Sequence, residues 1–131
     1  MNEDALIVGL MTRLQHSLQA LAVPADLQLG LFPDFVCKVD ALALDFDHWR
    51  LCVVDNFQAR LTDQQKTLLA TLDSRLEAMS GPERAPLWTE EALRTRSEWE
   101  DVRRLAQETL VTFGWEGDVP PAYGHEYIST R

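Results

Sequence analysis

The sequence is short of basic residues, of cysteine and of long apolar runs, and each shortage argues against a class of protein. It has 12 Lys and Arg against 21 Asp and Glu, a formal net charge of −9. We therefore expect no nucleic-acid or anionic-membrane partner, because binding to phosphates requires an excess of cations. The only cysteines, Cys37 and Cys52, do not make a disulfide framework. No apolar run approaches the length of a membrane-spanning helix.

Glycine and proline are also few, at 6 each, whereas 46% of the residues are hydrophobic. That composition is typical of a globular chain, and 131 residues suffice to bury a core without disulfides. The first residues, MNEDALIVGLMTR, are acidic where a secretory signal is basic. We therefore expect a cytoplasmic protein with one helical domain over residues 1–131, in which 116–131 form a loosely packed tail.

Apolar residues recur at spacings of three and four along several segments, which is the helical period. The first of these segments ends at Pro24, and the third ends at Gly81 and Pro82. Three segments open on side chains that cap helices. These caps are Thr62 with Gln65, Thr89, and Ser97 with Glu100. The pattern predicts an all-α fold, a compact bundle of four to five helices.

The stretch VDALALDFDHWR, residues 39–50, fits both a helix and a strand. As a helix, it continues one apolar stripe through its bulkiest residues. That stripe consists of Val39, Leu42, Phe46, Trp49 and Val53. As a strand, it would place two Asp and several Ala in a sheet, where such residues are uncommon. We interpret the stretch as a helix, and leave open a short strand over residues 50–55.

The same stretch contains the candidate metal ligands and acid–base groups Asp45, Asp47 and His48. On a helix, residues two apart point to nearly opposite sides, so Asp45 and Asp47 could not hold one ion. On a strand, His48 would point away from both. His16 and His125 have no partner close in sequence, and no GxSxG, P-loop or GxGxxG motif occurs. We therefore expect no enzyme, with no catalytic residue, no metal site and no cofactor.

On a helix, the outward side of this region combines acids with leucines. We call it the acidic face, and its members are Asp40, Leu44, Asp45, Asp47, His48, Leu51 and Asp55. An apolar centre with an anionic rim is typical of a protein-binding patch, and its charges would speed association with a basic partner. The alternative is that residues 23–36 or the tail cover Leu44 and Leu51, in which case the two leucines pack within the fold and bind no partner.

A C-terminal pattern of aromatic and apolar residues runs at helical spacing up to a glycine. It reads Trp99-x3-Arg103-x2-Ala106-x3-Leu110-x2-Phe113-Gly114-Trp115 and follows the segment LTDQQKTLLATLDSRLEAMSG. Together they resemble small bacterial immunity proteins, over roughly the last two-thirds of the chain. The resemblance implies a non-enzymatic cytosolic inhibitor whose acidic face blocks a basic site on a toxin. It transfers no binding residue position by position.

Two functions thus follow from the sequence. The first is a protein that binds a basic protein partner, such as a toxin domain, through the acidic face. The alternative is a self-assembling structural or regulatory subunit that uses the same face as a homodimer interface. The oligomeric state, monomer or homodimer, distinguishes the two.

Overall fold

A computed structural model describes residues 3–122, and every regular element within that range is helical. The α-helices are α1 (Glu3–Ala22), α2 (Ala25–Leu29), α3 (Lys38–Phe57), α4 (Asp63–Ala78), α5 (Glu90–Thr95) and α6 (Ser97–Phe113). Two 3₁₀ segments, Gln58–Arg60 and Pro82–Trp88, join them. The predicted all-α class is confirmed, with four long helices and two short ones. None of the helices among residues 3–122 combines the length and apolar character needed to cross a bilayer.

The four long helices pack around one apolar core. α1 packs against α3 and α6, and α4 packs against α6, whereas α3 and α4 approach each other much less. The largest fully buried side chains come from all four, and include Leu14, Leu18, Phe46, Leu69, Leu72, Trp99 and Leu110. The 3₁₀ segment Gln58–Arg60, followed by Leu61 and Thr62, joins α3 to α4. The two helices diverge from that turn and leave a groove between their far ends.

Residues 39–50 lie within α3, so the helical interpretation is confirmed. Four members of the predicted stripe are buried and one, Trp49, is half-buried. The short strand left open over residues 50–55 does not form, since this segment continues α3. Phe57, four residues after Val53, extends the buried stripe at helical spacing. No strand lies among residues 3–122 with which a lone strand could pair.

Two of the three predicted caps open their helices. The Thr62 hydroxyl accepts a hydrogen bond of 3.1 Å from the Gln65 N–H. The Gln65 side chain in turn accepts one of 2.9 Å from the Thr62 N–H. At α5, the Thr89 hydroxyl accepts one of 3.0 Å from the Ala92 N–H. These bonds satisfy donors that the first turn of a helix leaves without an intrahelical partner.

The third predicted cap, Ser97 with Glu100, is wrong. Arg96 occupies the N-cap position of α6, with extended backbone and no side-chain cap bond, and Ser97 is already helical. Only one residue separates α5 from α6, and the Arg96 N–H donates to Ala92 O at 2.8 Å. With Ser97 as the N-cap, α6 would begin at residue 98, but it begins at Ser97. The end of α5 at Thr95 leaves only Arg96 to serve as the N-cap.

Two side-chain amides close the C-terminus of α1, whose last turn holds no basic residue. Gln28 Nε2 donates to the carbonyls of Ala20 at 3.0 Å and Leu21 at 3.1 Å. Gln107 Nε2 donates to the carbonyl of Ala22 at 3.0 Å. These carbonyls lie in the last turn, where intrahelical partners are missing. The short helix α2, which directly follows Pro24, brings Gln28 to this position.

The chain after α6 returns toward α1. Gln19 Nε2 on α1 donates a hydrogen bond of 2.9 Å to Glu116 O. The described part of the predicted tail, 116–131, has no helix or strand. Residues 123–131, which include His125, lie outside the described residues.

Candidate functional site

The space between the diverging ends of α3 and α4 is a groove of about 650 Å³, which we call the α3–α4 groove. Both helices supply carboxylates to it, and these are Asp40, Asp47, Asp73 and Glu77. Apolar side chains line the rest, and these are Ala43, Leu44, Leu76 and Trp88. Its volume lies within the range of small-molecule and side-chain-binding clefts.

One cation, Arg50, bridges the two helices inside the groove. Its Nη2 atom lies 2.9 Å from Asp47 Oδ1 and 3.3 Å from Asp73 Oδ1. Only 15% of the Arg50 side chain is exposed, and its buried Nε has no hydrogen-bond partner among the described residues. Asp40 and Glu77 are exposed and form no ion pair within residues 3–122. Four carboxylates against one guanidinium leave a formal charge of −3 in the groove.

The apolar part of the groove has a fixed floor and an exposed rim. Trp88 is half-buried, and its Nε1 donates a hydrogen bond of 2.7 Å to Met79 O. Its ring packs edge-to-face on Trp99, with centroids 5.2 Å apart. Leu76 is buried beside it, whereas Leu44 at the rim is 67% exposed. The indole is therefore held in one orientation, and the rim is open to a partner.

The structure divides the acidic face among three places. The α3–α4 groove takes Asp40, Leu44 and Asp47. A second open concavity on α3 is lined by Asp45 and His48, again together with Asp40 and Leu44. Neither concavity includes Leu51 or Asp55. The two leucines are not covered by the described part of the chain, since Leu44 is 67% and Leu51 41% exposed. Leu44 thus forms a ridge between the two concavities.

The acids of this face differ in their surroundings. Asp40 and Asp55 are exposed, as expected. Asp45 is partly buried and accepts a hydrogen bond of 3.1 Å from Trp49 Nε1. Asp47 is partly buried and paired with Arg50. Both contacts lie within α3, so Asp45 and Asp47 already have partners on their own helix, whereas Asp40 and Asp55 are exposed.

His48 pairs with Cys52 rather than with either aspartate. The two lie one helical turn apart, with His48 Nε2 and Cys52 Sγ separated by 4.0 Å. Both cysteines are free thiols, Cys37 exposed and Cys52 partly exposed. Within residues 3–122, no three His, Cys, Asp or Glu residues gather where they could hold one metal ion. The spacing of four between His48 and Cys52 was the sequence signal for this pair.

The pKa of His16 is lowered below its ordinary value. Burial in α1 is the larger cause, and the Arg13 guanidinium close by is the second. Both disfavour the charged imidazole. His16 lies outside the lining of both concavities.

Sequence analysis did not single out Arg50, Asp73 or Glu77. Arg50 follows Asp47 by three residues, which is a spacing at which ion pairs form on a helix. The sequence therefore indicated the ion pair of Arg50 with Asp47. Asp73 belongs to another helix, and only the packing of α3 beside α4 brings it to Arg50. Trp88 lies in the 3₁₀ segment after α4, and only the fold brings it to the floor of the groove.

No protein-family model, curated protein or solved structure matches this chain.

Proposed function

We propose that this chain is a non-enzymatic cytoplasmic protein that binds another protein through the α3–α4 groove, and that it neutralises a bacterial toxin as an immunity protein. The observation that carries the proposal is the groove itself. It combines an exposed apolar rim, a fixed aromatic floor and a formal charge of −3. Apolar centres with charged rims are the anatomy of protein-binding sites.

The groove fits Lys or Arg side chains of a partner. The aliphatic stem of such a residue can lie along Leu44 and Leu76, while its charged head reaches Asp40 or Glu77. The Trp88 ring offers a further contact to a cation. Because Asp40 and Glu77 form no ion pair within residues 3–122, an incoming cation breaks no existing bridge there.

Arg50 prepares the groove for binding. It holds Asp47 on α3 and Asp73 on α4 in fixed positions before a partner arrives. Side chains that are already ordered lose less entropy on association. The bridge also lowers the repulsion among the four carboxylates, which would otherwise push α3 and α4 apart.

The toxin-neutralising role rests on the resemblance of the C-terminal run Trp99-x3-Arg103-x2-Ala106-x3-Leu110 and of the helix before it to immunity proteins. A stoichiometric inhibitor needs a complementary surface and no reacting groups. An acidic groove suits a toxin whose working surface is basic, since opposite charges speed the encounter.

The test begins with a pull-down by the tagged chain from its native cell extract, eluted with rising salt and identified by mass spectrometry. Association rates are then measured with the purified partner. Asp40→Lys and Glu77→Lys should each slow association by about tenfold at low salt. Asp118→Lys makes the same charge change on the exposed segment after α6, and should slow it little.

Two results would contradict the groove as the site. Equal slowing by Asp118→Lys would mean that only the overall net charge steers the partner. Slowing by Asp55→Lys but not by Glu77→Lys would place the partner on the outer side of α3. Recovery of the bait alone, as a dimer in light scattering, would favour self-assembly instead of an immunity protein.

A further inference from the structure

We propose that the α3–α4 groove binds a free aliphatic polyamine, a linear molecule that carries two or more ammonium groups. This ligand goes beyond the proposed function, because it is a small molecule and its binding needs no partner protein. It would occupy the same acids as a basic partner, so polyamine and partner should compete for the groove.

Acids and apolar residues alternate along both walls of the groove. On α3, Leu44 lies between Asp40 and Asp47. The wall from α4 repeats this order, and its members are Asp73, Leu76 and Glu77. Because an α-helix rises about 1.5 Å per residue, the two acids of α3 lie about 10 Å apart along the helix axis. A chain of methylene groups can contact the apolar strip while ammonium groups at its ends reach the acids on either side.

The charges form two groups, one at each end of this strip. Since α3 and α4 run antiparallel, Asp40 and Glu77 both lie at the open end and together carry a formal charge of −2. Asp47 and Asp73 lie at the other end, where Arg50 bridges them and leaves a formal charge of −1. A triamine matches this total of −3. A single Lys or Arg side chain of a partner could satisfy only one of the two ends.

The groove suits an extended organic cation better than a metal ion. Within residues 3–122, no three His, Cys, Asp or Glu residues gather where they could hold one ion. The carboxylates of the groove are therefore spread along it and do not converge on a point. The Trp88 ring at the floor also favours an ammonium group, which aromatic rings attract through their faces.

The open end of the groove is ready for an ammonium group. Asp40 and Glu77 are exposed and form no ion pair within residues 3–122, so a ligand there displaces only water. Because both acids are exposed, salt screens their attraction for the ligand. The affinity should therefore fall as the ionic strength rises.

The test titrates the full chain with spermidine by isothermal titration calorimetry. A salt concentration of about 0.15 M screens loose binding to the overall charge of the chain. We expect one spermidine to bind per chain. Putrescine should bind more weakly, and butylamine, which has the same aliphatic chain but a single amino group, should give no measurable binding. Mg²⁺ carries the same charge as putrescine, but should not displace spermidine at equal concentration.

Two neutral variants locate the site. Asp40→Asn and Glu77→Gln should each raise the Kd for spermidine about tenfold, because each removes one charged hydrogen-bond partner of the ligand. Asp55→Asn is the matched control, since it removes the same charge from α3 outside both concavities. It should change the Kd by less than about twofold. Thermal unfolding without ligand shows whether each variant is folded, and Glu77→Gln carries the test if Asp40→Asn is not.

A titration with spermidine that shows no saturable binding overturns the inference. So does an equal loss of affinity in Asp55→Asn, or binding of butylamine as tight as that of putrescine. Displacement by Mg²⁺ at equal concentration would likewise assign the binding to charge alone. Because no partner protein is present in the titration, these results leave the proposed function standing. Failure to capture a partner, in turn, does not affect the titration.

Discussion

Arg103 Nη1 on α6 donates a hydrogen bond of 3.2 Å to Gln28 Oε1 on α2. The same nitrogen donates one of 3.1 Å to Leu93 O on α5. Burial lowers the pKa of Arg103, which Glu100 opposes. Because Gln28 also donates to the last turn of α1, this pair joins four helices at one end of the bundle.

Replacement of Gln28 should destabilise the fold more than the loss of its side-chain packing alone would. Gln28 is fully buried, and Gln28→Ala would leave two carbonyls of α1 and one Arg103 N–H without their partner. Buried polar groups left unsatisfied cost about 1–3 kcal/mol each, so we expect the free energy of unfolding to fall by about 3 kcal/mol. Urea denaturation measures it.

Gln15→Ala is the control for this variant. Gln15 lies half-buried on α1 and makes no hydrogen bond through its side chain within residues 3–122. A loss below about 0.5 kcal/mol is expected there. If the two variants lose equal stability, the loss comes from packing alone and the network adds nothing.

Charge reversal should separate Asp40 from Asp47, although both line the groove. Asp40→Lys changes an exposed acid without an ion pair in the described chain, and should leave thermal stability nearly unchanged. Asp47→Lys breaks the pair with Arg50 and sets two cations side by side. Since Asp47 is about half-exposed, solvent screening limits the loss to about 1 kcal/mol.

Differential scanning fluorimetry of the two variants against the parent gives the comparison. An equal shift in both melting temperatures would show that the Arg50 bridge does not stabilise the fold. In that case Asp47 would be as available to a partner as Asp40.

The lowered pKa of His16 gives the stability a dependence on pH. Between the ordinary histidine value of about 6.5 and the lower folded value, the unfolded chain binds a proton that the folded chain does not. The free energy of unfolding therefore falls as the pH drops through that window, and its full value is present above it. His16→Gln should flatten this slope.

Urea denaturation of His16→Gln and of the parent, from neutral pH down to about pH 5, measures the two slopes. Gln15→Ala, next to His16 on α1, should keep the slope of the parent. A slope that is the same in all three chains would assign the pH dependence to other groups.

Local patterns accounted for most of the fold. The helical stripe in α3 and the capping box of Thr62 with Gln65 were readable because both depend on residues within a few positions of each other. The same kind of signal was wrong at Ser97, where α5 leaves a single residue before α6. α2 was not recognised, because its five residues lie between Pro24 and Gly30, two residues that usually mark a connection.

The candidate site combines features of a single helix with features that depend on how α3 and α4 pack. Asp40, Leu44 and the spacing of Asp47 to Arg50 are properties of one helix, and the sequence by itself determined them through the helical period. Asp73, Glu77 and Trp88 join them only because α4 diverges from α3 after the short turn Gln58–Arg60. The angle between two helices depends on which core side chains pack between them. The charges were therefore determined by the sequence, and the groove that gathers them by tertiary packing.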